Sequence, residues 1–136
     1  MKTGFFDIQW QTNLSQTAGF EKVGEKLNVT YFISLKRVFT INEIKIQDVV
    51  YGCHANQFFA VYINIDHIEV FAQLRRHMNR NYGLPKITRA MPAEQTIYQW
   101  KHKKIKIKLK TYENKNNMKL AFYYMPFSRL ANESQQ

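Results

Sequence analysis

Residues 100–110 read WKHKKIKIKLK, with Ile105, Ile107 and Leu109 alternating with Lys104, Lys106, Lys108 and Lys110. A strand sends successive side chains to opposite faces, so residues 104–112 predict a strand with one apolar face and one lysine face. Downstream, Asn114-Lys115-Asn116-Asn117 predicts a turn into a strand over 118–125, stopped by Pro126. In that hairpin Met118, Leu120 and Phe122 extend the apolar face, and Lys119 and Tyr123 fall on the lysine side. Upstream, 95–100 reads as a third strand.

The helix that would cover the apolar face lies between 67 and 82. Ile68, Phe71, Leu74, Met78 and Tyr82 recur at three- and four-residue spacing, with Glu69, Gln73, Arg76 and Arg80 on the opposite side. Asp66 is the expected N-cap and Glu69 its capping-box partner. Gly83 and Pro85 end the helix. Before it, 27–35 and 37–46 read as strands. Val49 to Cys53 and Phe58 to Ile65 read as a hairpin around His54-Ala55-Asn56-Gln57. Residues 5–10 are a short extended opening, 13–26 are ambiguous, 84–94 read as a loop, and 130–136 as a frayed tail. The whole predicts a single α+β domain over 1–136: an antiparallel, meander-like sheet with one main helix packed on one face.

The chain of 136 residues is 45% hydrophobic and 15% aromatic, which excludes a disordered chain and suffices for a sizeable core. It holds 20 Lys and Arg against 10 Asp and Glu, a formal charge of +10. Residues 1–68 carry equal numbers of each sign, so all the excess lies in 69–136. That favours an anionic partner: an acidic protein, a lipid head group or a nucleic acid. On this reading Lys104, Lys106, Lys108, Lys110 and Lys119 supply charge and Tyr123 an apolar platform. Alternate residues on a strand lie about 6.5–7 Å apart, near the phosphate spacing of an extended nucleic-acid strand. The competing reading is a solvated face whose lysines prevent edge-to-edge aggregation.

Other chemistry finds little footing. Cys53 is the lone cysteine, so neither an intrachain disulfide nor a thiolate metal cage is expected. Cys53-His54 is a conceivable nucleophile and base, but neighbours on a strand point apart. The four histidines lack metal-ligand spacing, and no phosphate loop or dinucleotide glycine pattern occurs. Asp7, Asp48, Asp66 and Glu69 have no spacing that assembles a carboxylate pair. No cofactor is expected. The readings in order are a non-enzymatic binding protein, a single-stranded nucleic-acid-binding module, and a small enzyme. No stretch has membrane-spanning length and no signal-peptide core follows Met1, which leaves a cytoplasmic protein or a mature envelope protein.

The order of certain segments resembles a group of small bacterial exported or lipoprotein-like proteins. These are Phe5-Phe6-Asp7-Ile8-Gln9-Trp10, Tyr51-Gly52 before Phe58, Tyr82-Gly83-Leu84-Pro85, Trp100, Ile105-Ile107-Leu109, and the close at Tyr124 and Pro126. In that group glycines are usual where this chain has Phe6 and Gln11. The resemblance implies an α+β fold and a periplasmic or envelope location, and it brings no catalytic residue.

Overall fold

The computed structural model describes residues 4–5, 8–35, 39–41, 43–46, 49–90, 94–112 and 117–127. The tail at 130–136, the turn at 114–116, Asp7 and Asp48 lie outside the described residues. Twelve strands are described: β1 Gly4–Phe5, β2 Ile8–Gln9, β3 Phe20–Lys26, β4 Val29–Ser34, β5 Phe39–Ile41, β6 Ile44–Ile46, β7 Val49–His54, β8 Gln57–Ile65, β9 Lys86–Ala90, β10 Gln95–His102, β11 Ile105–Tyr112 and β12 Asn117–Tyr124. Helix α1 runs Ile68–Tyr82 between β8 and β9.

Eight strands form one antiparallel sheet in the order β3-β4-β7-β8-β12-β11-β10-β9, and β1-β2 and β5-β6 are small hairpins. α1 carries the chain from β8 to the far edge, where β9...β12 return as a meander that closes against β8. The helix packs over β8 and β10 through Phe71, Leu74 and Met78. The remainder of that face is covered by Ile8, Trp10 and Leu14 from the N-terminal segment and by Ile41 and Ile46 from β5 and β6, all in the same core cluster. Gln11 N–H donates to Phe58 O at 2.7 Å and Phe58 N–H to Thr12 O at 2.9 Å, which ties the N-terminal segment to β8.

Ile107, Leu109, Met118, Leu120 and Phe122 belong to this core, as the alternation predicts. Trp100 joins it from β10, and its indole N–H donates to Gly83 O at 3.0 Å, clasping the end of the helix. Gly83 has φ 86°, a conformation that glycine adopts without Cβ strain. The apolar stripe of α1 is right except at its start: Ile68 is 62% exposed.

Several sequence expectations are corrected. The N-cap is His67, which makes no side-chain capping bond, so Asp66 lies one residue outside and Glu69 is not a capping-box partner. The strand at 27–35 begins only at Val29, because Leu27 turns the chain with φ 55°. The strand at 37–46 is two, split at the turn containing Glu43, φ 67°. The loop at 84–94 contains β9, which pairs along β10 from Gln95↔Ala90 to Gln99↔Lys86. Tertiary pairing, not local pattern, makes this polar segment a strand.

Between β7 and β8, Ala55 and Asn56 both have positive φ, 49° and 66°, the backbone of a type I′ hairpin. Alanine is strained there, so Ala55→Asn should stabilise the protein by about 0.5–1 kcal/mol, read as a higher denaturant midpoint at unchanged slope. A fall in midpoint would show that the turn is held by something other than its local conformation. Beyond the turn, Cys53 pairs with Phe58 and Gly52 with Ala60, leaving Phe59 as an extra, bulged residue. The bulge sends Phe58 into the main core, and Phe59 and Ala60 into a second cluster on the other side of the sheet.

Candidate anion-binding face

That other side carries the predicted lysines. Across the sheet, Lys101 on β10 stands opposite Lys106, and Lys106 opposite Tyr123. The row continues through Ala60 and Gly52 to Tyr31. The next row is Gln99, Lys108, Ala121, Tyr62 and Val50. A third brings together Lys110, Lys119 and Asn64. Paired strands lie about 4.8 Å apart and alternate residues about 6.5–7 Å apart, so these lysines form a close two-dimensional lattice of like charge.

Lys106, Lys108 and Lys110 are half-buried, whereas Lys101 and Lys119 are exposed. Burial, then the charges of Lys110 and Lys106, pushes the Lys108 ammonium from 10.5 down to about 8. Burial and then Lys119 lowers Lys110, and burial and then Lys101 lowers Lys106. Among the described residues no carboxylate forms an ion pair with Lys101, Lys106, Lys110 or Lys119. The Lys108 ammonium stands 5.9 Å from the centre of the Tyr123 ring, within cation–π range.

The structure places Lys104 off the strand and Tyr123 out of the platform role expected of it. Lys104 is exposed in the turn between β10 and β11, so the strand starts at Ile105. Tyr123 is on the lysine side but only 1% exposed, and its hydroxyl is pushed well above the usual tyrosine range by burial and then by Tyr31. It is floor, not platform. The half-buried aromatics are its neighbours Tyr62 and Tyr31, whose ring centres lie 5.9 Å apart. Tyr62 extends over Gly52, where a Cβ would come within 3.1 Å of its ring. Lys101, Tyr62 and Gln99 were missed by sequence reasoning. Alternation from Trp100 and from Val61, Ile63 and Ile65 would have found them.

The catalytic alternatives do not assemble. The Cys53 side chain lies in the main core, and burial pushes its thiol up to about 12, against a smaller downward pull from the Leu14 backbone. His54 instead has Nδ1 2.9 Å from Asn28 O and its ring edge-on to Phe127. Asp66 and His67 meet at 3.6 Å but both are open to water at the helix start. Among the described residues no three His, Cys, Asp or Glu side chains are placed to hold a metal ion, and no helix is long and apolar enough to cross a membrane.

Compared with protein-family models, with curated proteins and with solved structures, the chain finds no match. The face is therefore interpreted from its own chemistry.

Proposed function

We propose that this is a non-enzymatic binding protein whose lysine face holds an anionic partner. One observation carries the reading: Lys106, Lys108 and Lys110 are half-buried side by side on β11, an interior strand flanked by β12 and β10. Lysines that guard against aggregation belong on edge strands. Here β11 is no edge, and burial with mutual repulsion makes the arrangement costly to the fold. An anion seated on the face would remove that repulsion.

The test is retention on heparin at low salt. The protein should bind and elute with rising salt, as ion pairing requires. Lys106→Glu with Lys110→Glu should abolish retention. Lys22→Glu with Lys26→Glu, the same charge change on β3, should shift elution only slightly. Equal effects of the two pairs would mean that net charge, not this face, drives binding. Placement in the cell envelope is supported by the sequence resemblance, and fractionation of cells expressing the natural gene checks it.

A further inference from the structure

Resting on that reading, we infer that the anionic partner is a single-stranded nucleic acid lying along β11 and β12, with its phosphates on Lys106, Lys108, Lys110 and Lys119 and its bases turned toward Tyr62 and Tyr31. The face is divided by chemistry. Its lysines are on β10, β11 and β12, and of its half-buried tyrosines Tyr62 and Tyr31 stand on β8 and β4, with Tyr112 at the end of β11. The registers running through Ala121 to Tyr62, and through Ala60 and Gly52 to Tyr31, put small residues beside the rings. Gly52 in particular gives Tyr62 the space that a Cβ would restrict. Ala60 and Ala121 are buried and the Tyr62 ring lies down on Gly52, so the partly exposed rings of Tyr62 and Tyr31 themselves are the flat surface offered to bases, and a lattice of ammonium groups receives the backbone that links them. This is the combination by which single strands are held without sequence readout. Gln99 and Asn64 add amides on the same face, beside Lys108 and Lys119.

The alternatives fit less well. A membrane surface calls for protruding apolar groups beside the charges. Among the described residues the large exposed apolar ones are Val23, Leu27, Leu35, Ile68, Leu84 and Ile87, none of them on the strands β10, β11 and β12 that carry the lysines. A duplex buries its bases and leaves the tyrosines without a role.

The measurement is fluorescence anisotropy with a labelled oligothymidylate about twelve nucleotides long, the size range of one such site. Its duplex, inorganic polyphosphate, a polyglutamate peptide and phosphatidylserine vesicles serve as competitors. The single strand should bind tightest, with a log–log salt slope of about −3, near −0.7 for each of four phosphates neutralised. Tyr62→Leu should weaken the single strand about fivefold to a hundredfold, the loss expected of one stacked base, and leave polyphosphate binding unchanged. Circular dichroism verifies the fold, and Tyr31→Leu replaces Tyr62→Leu if that variant does not fold. Equal affinity for polyphosphate and oligothymidylate, with the tyrosine variant neutral, would overturn the nucleic-acid assignment and leave the basic face standing. So would tighter binding of peptide, duplex or vesicle. Binding to none of these polyanions would remove both readings.

Discussion

Replacing Lys108 by methionine should stabilise the protein at pH 7 by about 1–3 kcal/mol while weakening its hold on polyanions. The pKa of Lys108 falls from 10.5 unfolded to about 8 folded, chiefly through burial and secondarily through Lys110 and Lys106. Each unit of such a difference corresponds to about 1.4 kcal/mol between protonation states, before relaxation reduces it. Because the folded pKa is the lower one, the cost is present in full below pH 8, where both states are charged. Between about pH 8 and 10.5 the folded protein has released the proton that the unfolded chain still binds, and stability rises with pH. The advantage of Lys108→Met should therefore shrink across that window. Taking the difference between variant and wild type is essential, because Cys53, raised from 9.0 to about 12 and lying in the core on the other side of the sheet, loses stability to alkali in both proteins alike. Chemical denaturation at pH 7, 8.5 and 10 reads the effect. A variant less stable than wild type at pH 7 would show that the lysine stem packs more than its charge costs. Affinity for polyanions should likewise fall from pH 7 to about 9.5, where an ordinary lysine is still charged.

The second large effect separates the two tryptophans. Trp100→Ala should cost about 3–5 kcal/mol, because the ring is 2% exposed in the main core and holds the helix end through Gly83. Trp100→Phe keeps an aromatic ring but leaves the Gly83 carbonyl without this donor, and should cost about 1–2 kcal/mol. Trp10 is buried too, stacked on Phe58 at 4.8 Å, yet among the described residues its indole N–H has no hydrogen-bond partner. Removing an unsatisfied buried donor offsets the lost volume, so Trp10→Phe should change stability by less than about 0.5 kcal/mol. Urea titrations of the three variants give the comparison. Equal losses for the two phenylalanine variants would mean that the Trp100 to Gly83 bond contributes nothing.

The parts of the fold legible in sequence were those whose residues alternate or recur by their own geometry. Ile105, Ile107 and Leu109 against the lysines, and Phe71, Leu74 and Met78 along α1, each declare a period. β9 was illegible because Lys86–Ala90 is polar and earns its strand from pairing with β10. Tyr123 shows the same limit within the site. Alternation assigned its side, but burial depends on Tyr62, Tyr31 and Lys108 reaching in from other strands, information that no single strand contains. The Phe59 bulge is likewise invisible locally, since a run of apolar and aromatic residues reads the same with or without an extra residue.

The alternation of β11 also restricts how this surface can change over generations. Core and binding face are interleaved, residue by residue, in one strand. Inserting or deleting a single residue within β11, unless absorbed in a bulge like that at Phe59, would exchange the two sets beyond it, exposing isoleucine and burying lysine. Length variation is thus confined to the turns that flank this strand. The lattice can be retuned only by substitution at Lys106, Lys108 and Lys110, one charge at a time, while Ile107 and Leu109 stay in place. Such a face can gain or lose affinity in small increments, but it cannot be relocated along the sheet without dismantling the fold that displays it.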